Sequence, residues 1–195
     1  MANVEPLPPE EIENYERLAT GSIARMGFVV NSTKTMARRP EIRDAFSQLF
    51  GAVFGSGEVD AGLKQMVAQV ASVAAGCRYC QVHTAGTAHL LGVPAEKVEA
   101  LYDFETNSLF DAAERAALRF GRDAGIQPNA TTPAHFEALR EHYSEPQIVE
   151  LTATIATFGF LNRWNDTMAT ELEEEPLAFG AEHLAAHGWE AGKHS

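Results

Sequence analysis

The sequence predicts an all-α, single-domain helical bundle, and three observations carry that reading. Apolar residues recur at helical spacing along most of the chain, between Pro, Asp or Ser/Thr start signals and Gly stops. No pair of alternating runs reads as a hairpin, and no strand–helix–strand spacing is present. The chain has 195 residues, 45% of them hydrophobic and 22% charged, which suits one well-buried core and is short for two.

Taken in order, Pro8 and Pro9 precede "EEIENYERLA", whose acidic first turn suits a helix dipole. Pro40 opens "EIRDAFSQLFGAVF", with Ile42, Phe46, Leu49 and Phe50 on one face. Asp60 reads as the N-cap of "AGLKQMVAQVASVAAG", and Gly76 as its stop. A helix through "CRYCQVHTAGTAHLL" runs to Gly92, and Pro94 starts "PAEKVEALYDF". "SLFDAAERAALRFGRDAG" is amphipathic and closes at Gly125. Thr132-Pro133 caps "AHFEALREHY", and Ser144 with Gln147 forms a capping-box pattern ahead of "IVELTATIATFGFLNRWNDTMATEL". That last segment is nearly apolar until Asn162 and is expected at the bundle centre. Seven to nine helices result, in one domain over 1–195, with 173–195 a tail packing on the body or on a neighbouring subunit.

The formal net charge of -12 disfavours a nucleic-acid surface. The apolar stretches are too short, and too interrupted by Gln, Ser and Thr, to span a membrane. The N-terminus is acidic and proline-rich, unlike a signal peptide, and two cysteines make no disulfide framework. The expected compartment is the cytoplasm, where a close cysteine pair points to redox chemistry or metal.

Both cysteines lie in "GCRYCQVHTAGTAHLLGVP". On this helix Cys77 lies about 60° to one side of Cys80 and His83 about 60° to the other, so one face carries both thiols and the histidine. Thr84 and Thr87 fall between them, and Thr84 is a candidate for the relay or for positioning water. A helix N-terminus lowers a thiol pKa, which favours Cys77 as the more acidic sulfur. An imidazole at His83 can take the proton of Cys80 and leave a thiolate to attack an electrophilic oxygen or sulfur. The second cysteine then closes a disulfide before over-oxidation. Gln65, Gln69 and Ser72 form a polar stripe on the preceding helix, which reads either as a relay that positions water or as a solvated edge. Zinc needs four ligands, and only Cys77, Cys80 and His83 are local, so no metal site is expected. His135, His142, His183, His187 and His194 read as solvated or satisfied side chains.

The stretch "AAGCRYCQVHTAGTAHLLGVPAEKVEAL" resembles the alkylhydroperoxidase D / carboxymuconolactone decarboxylase family, most strongly over Asp60–Leu101. "PNATTPAHFEALREHYSEPQIVELTATIATFGFLNRWND" is similar to a longer, peroxidase-related branch. The resemblance implies an all-helical protein forming trimers or hexamers, with Cys80 attacking peroxide, Cys77 resolving and His83 transferring a proton. It implies no bound cofactor, a small hydroperoxide substrate and a dithiol/disulfide partner protein that restores the reduced state.

Two departures stand out. The family histidine falls four residues after the second cysteine, where this chain has Thr84. The family glutamate on the preceding helix is replaced by Gln65, with Gln69 a turn later. Glutamine holds a water but exchanges no proton at neutral pH. Slower peroxide chemistry, or another acid such as Glu58 or Glu150 reaching in, is then expected. The leading expectation is an antioxidant dithiol peroxidase or disulfide reductase. Lactone decarboxylation is the second, against which a redox pair counts. A non-catalytic helical oligomer, with a structural or zinc-holding cysteine pair, is the third.

Overall fold

In the computed structural model, which describes residues 2–195 (backbone only at 21 and 23–25), Asp60 starts the helix around which the others pack. Its carboxylate accepts the Leu63 N–H at 2.9 Å, and α4 (Ala61–Ala75) ends where Gly76 turns left-handed at φ 78°. Every α4 residue from Gly62 to Ser72 is buried. This helix, rather than the later apolar segment, occupies the bundle centre. The physical reason is its run of small and β-branched side chains, whose few polar members find room between neighbouring helices. The polar stripe of Gln65, Gln69 and Ser72 is therefore interior, and its reading as a solvated edge is overturned.

Three helices cover α4: α5 (Arg78–Leu90), α7 (Ala112–Gly125) and α9 (Glu145–Met168). Gly125 permits the approach of α7, because a Cβ there would lie 2.8 Å from the Ala71 Cα. The remaining helices are α1 (Tyr15–Met26), α2 (Asn31–Met36), α3 (Pro40–Phe54), α6 (Ala95–Glu99), α8 (Pro133–Arg140) and α10 (Glu174–Phe179). No strand occurs among the described residues, and the chain forms one all-α domain. Among the described residues no helix is long and apolar enough to cross a membrane.

Local chemistry moves several boundaries from their expected places. The first helix does not begin at Glu10. A 3-10 turn at Pro9–Glu11 is followed by Asn14 at φ 58°, a left-handed conformation that Asn tolerates, and α1 starts only at Tyr15. Asp111 and Glu114 close a capping box, so α7 starts at Ala112 rather than at Ser108. The short α2 carries no sequence signal strong enough to announce it. The long helix α9 stops at Met168 instead of Leu172, because Ala169 turns left-handed at φ 48°. That conformation costs an alanine about 1–2 kcal/mol, and it redirects the chain toward the dithiol.

Beyond α10 the chain folds back onto the body. Leu172 N–H donates to the His194 carbonyl at 2.8 Å, and Trp189 Nε1 donates to the Arg78 carbonyl at 3.1 Å. The C-terminal segment thereby closes over the start of α5.

Candidate functional site

Gly76 ends α4, and Cys77 immediately caps α5. Cys77 is not a helical residue, which corrects the picture of both thiols on one helix face. Its φ/ψ of -81°/101° is extended, and its Sγ accepts the Cys80 N–H at 3.4 Å. The sulfur thus sits where the orphan N–H groups of a helix start converge. The Cys80 thiol also donates to it, and this bond, then the N–H groups of Cys80 and Tyr79, hold Cys77 below the ordinary thiol value against burial and Asp166. Cys80 is pushed well above that value, first by burial and then by its neighbour's charge. Of the two thiols Cys77 is therefore the more acidic, and Cys80 keeps its proton longer.

A cavity of about 800 Å³ meets this pair from one side only: Cys80 lines it and Cys77 does not. His83 of α5, Lys64 and Gln65 of α4 and Asn165 of α9 share the lining. Much of the remaining wall is aromatic. Phe46, Phe50 and Phe54 recur every four residues on α3, with Phe50 stacked on Phe54 at 4.5 Å and Phe54 edge-on to Phe158 at 5.7 Å. The apolar face expected on α3 is therefore a cavity wall rather than core, and Ile42 and Leu49 beside it are exposed.

His83 does not hydrogen-bond to Cys80. Its Nδ1 is 2.8 Å from the Tyr79 carbonyl and its Nε2 is 2.8 Å from Glu173 Oε2. Both partners can accept, so His83 sits between two acceptors, one at each ring nitrogen. Glu173 Oε1 additionally accepts the Tyr79 hydroxyl at 2.9 Å and the Asn31 N–H. Burial by itself would raise Glu173, but the His83 charge and these donors outweigh it and hold the carboxyl below its ordinary range. Burial, with the Glu173 charge behind it, keeps the Tyr79 hydroxyl protonated far into alkali.

Glu173 is thus the carboxylate that meets His83, delivered by the segment after α9. Sequence reasoning placed that segment in a tail and missed it. Glu150 instead pairs with the buried Lys64 ammonium and accepts N–H bonds from Glu58 at 3.0 Å and Val59 at 3.2 Å. Neither Glu58 nor Glu150 lines the cavity. Of Gln65, Gln69 and Thr84, the candidates for a relay or for positioning water, only Gln65 lines the cavity. Gln69 of α4 and Thr84 of α5 do not line it; they are joined by a 3.2 Å hydrogen bond, and the Thr84 hydroxyl also reaches the Cys80 carbonyl at 2.8 Å.

A second missed residue is Asn165, whose Nδ2 donates to Cys80 Sγ at 3.4 Å. The polar "NRWND" end of an apolar helix was its only sequence signal. His194, read as solvated or satisfied, is buried: its Nδ1 donates to the Thr170 carbonyl at 2.8 Å, and its Nε2 has no hydrogen-bond partner. Burial lowers its pKa from the ordinary 6.5. Among the described residues no group of three His, Cys, Asp or Glu side chains is placed to hold a metal ion.

These groups set a pH dependence of folding. A buried neutral His194 refuses the proton that the unfolded chain accepts, so stability falls as pH drops below about 6.5. Glu173, held low in the folded state, adds stability above its ordinary value of 4.5 that is lost as pH falls below it. Thermal unfolding followed from pH 8 to pH 4 should show midpoints declining in these two acid windows, and the His194→Gln variant should lack the first.

Residues 40–123 match the carboxymuconolactone decarboxylase family. Over 90% of the chain, and 95% of the other, the structure superposes on the debrominase Bmp8 with 35% identity and a TM-score of 0.85. A cysteine-to-alanine form of that debrominase, solved in complex with 2,3,4-tribromopyrrole, matches at 35% identity and a TM-score of 0.86 over 92% of this chain and 96% of that one. An alkylhydroperoxidase D core protein from Ralstonia eutropha JMP134, described as peroxidase-related, shares the fold at 23% identity and a TM-score of 0.77, over 89% and 94% of the two chains. The uncharacterized protein YdfG of Bacillus subtilis (strain 168) is 28% identical over 92 residues, which span 46% of this chain and 60% of that relative.

Proposed function

The chain belongs to the alkylhydroperoxidase D / carboxymuconolactone decarboxylase family, and on that premise we propose that it is a dithiol reductase of an organic hydroperoxide. The observation that carries this reading is the asymmetry of the pair: Cys80 faces the cavity, and Cys77 sits behind it on the helix N-terminus, within hydrogen-bonding reach. A cavity of about 800 Å³ with an aromatic wall suits a peroxide with an apolar body better than hydrogen peroxide.

The Cys77 thiolate accepts the Cys80 proton as Cys80 attacks the outer oxygen of ROOH. The O–O bond breaks, the S–O bond forms, and RO⁻ leaves as Cys80 becomes the sulfenic acid. His83 gives RO⁻ a proton. Once the Nε2 proton is released, Glu173 keeps its bonds to Tyr79 and Asn31. Cys77 then attacks the Cys80 sulfur, forms the disulfide and expels water with its own proton. Two electrons leave the dithiol and two enter the peroxide. An external dithiol protein returns them by exchange.

The likeness to a debrominase favours a second reading on the same machinery. Here Cys80 attacks an aromatic halogen, the carbanion takes the His83 proton, and Cys77 releases halide from the sulfenyl halide as the disulfide closes. The test is to mix the reduced protein with cumene hydroperoxide, hydrogen peroxide and a bromopyrrole. Loss of two thiols per substrate, with a Cys77–Cys80 disulfide found by peptide mass spectrometry, is expected fastest with cumene hydroperoxide. Reaction with the bromopyrrole alone selects the second reading, and thiols that survive all three overturn both.

A further inference from the structure

Cys80 must carry a negative charge when it attacks, yet it is buried beside the Cys77 sulfur and near Asp166, both of which oppose that charge. One side chain in contact with Cys80 opposes them. Asn165 is 1% exposed, lines the cavity, and points its Nδ2 at Cys80 Sγ over 3.4 Å. An amide has two ends, and only the nitrogen end stabilises a thiolate. The Thr170 hydroxyl donates to Asn165 Oδ1 at 2.9 Å, and the Thr170 N–H donates to the Asn165 carbonyl at 3.1 Å. These bonds assign the oxygen end to Thr170 and turn the nitrogen end toward the sulfur. Thr170 is itself held, because its carbonyl accepts His194 Nδ1–H at 2.8 Å while the His194 carbonyl accepts the Leu172 N–H at 2.8 Å.

We propose that Asn165 is the donor that holds the Cys80 thiolate during attack, and that Thr170, latched by His194 of the C-terminal segment, is the positioning residue that keeps the amide nitrogen on the sulfur. The left-handed Ala169 makes the geometry possible, because the helix must end between Asn165 and Thr170 for one to bond the other. The proposal rests on Cys80 as the attacking sulfur but is independent of which electrophile it attacks. When Cys80 ionises, the Asn165 bond becomes charge-assisted and strengthens, whereas the same bond to the thiol is weak. It therefore favours the attacking state over the resting one.

The test is the rate of iodoacetamide alkylation of Cys80, located by peptide mass spectrometry and followed from pH 6 to pH 10. The other ionisable groups around the sulfur (Cys77 capping α5, Tyr79 and His83 on α5, Lys64 on α4, Asp166 on α9, Glu173 and His194 beyond it) are common to every form compared. Asn165→Leu should slow the reaction at pH 7 by about tenfold and move its midpoint upward. Thr170→Val should slow it by about threefold, and Thr170→Ser, which keeps the hydroxyl, should match the wild type.

A purely structural role would lower the melting temperature of these variants without moving the alkylation midpoint, and that result overturns the proposal. Should Asn165→Leu fail to fold, the Thr170 pair decides alone: equal rates in Thr170→Val and Thr170→Ser overturn it. Slowed alkylation in a protein that turns over neither peroxide nor halide keeps the Asn165 assignment and removes the proposed function. No reaction at Cys80 in any form removes both.

Discussion

Cys80→Ser is expected to abolish substrate turnover, with a loss of at least about 10⁴-fold, while Cys77→Ser still consumes one equivalent of peroxide and stops at a sulfenic acid on Cys80. The two variants differ because the cavity touches only one sulfur. A serine at position 80 leaves no atom able to accept oxygen at that wall. A serine at position 77 leaves the attacking sulfur in place but removes its base and its resolving partner. The single turnover of Cys77→Ser should be slower than that of the wild type by about 10²-fold, the usual contribution of a positioned base. Rapid mixing with cumene hydroperoxide, with the sulfenic acid trapped by dimedone and located by mass spectrometry, measures both quantities. Equal activity in the two variants, or a trapped sulfenic acid on Cys77 in Cys80→Ser, would sink the assignment.

Glu173→Gln should lower kcat by about 10²-fold at pH 7 and leave alkylation of Cys80 nearly unchanged. In the proposed mechanism the carboxylate favours a hydrogen on both nitrogens of His83, which lies between two acceptors. An amide in its place can donate to Nε2, which removes the charge from the ring and with it the acid for the leaving oxygen. Activity of the variant should rise as pH is lowered into the range where an unassisted imidazole protonates. The wild type should show no such rise, because its His83 already sits between two acceptors. A rise confined to the variant distinguishes a lost proton donor from a merely loosened tail. Parallel profiles would show that Glu173 only anchors the C-terminal segment.

The C-terminal segment thus reaches the chemistry at two points. Glu173 sits on His83, and His194 latches the Thr170–Asn165 pair onto Cys80. Both contacts span more than twenty residues of chain, and one spans ninety. This is why the Glu173 carboxylate could not be found by searching the helix before the dithiol, where Gln65 stands. A contact between residues ninety apart leaves no local spacing to read.

What the amino-acid sequence determined by itself was local in character. Asp60 and Gly76 bracket α4, Ser144 and Gln147 start α9, and Cys77 and Cys80 stand three apart at a helix entrance, because caps and turns depend on residues within one helical turn. Only the tertiary structure decided which helix is central, which sulfur meets the cavity, and which carboxylate and amide serve the pair. Those outcomes depend on long-range packing, where side chains far apart in the chain compete for the same buried space. Periodicity shows that a face is apolar or polar, but not what will cover it. Phe46 and Phe50 were therefore legible as one face and illegible as a wall, and Asn165 as a polar helix end but not as the neighbour of a thiolate.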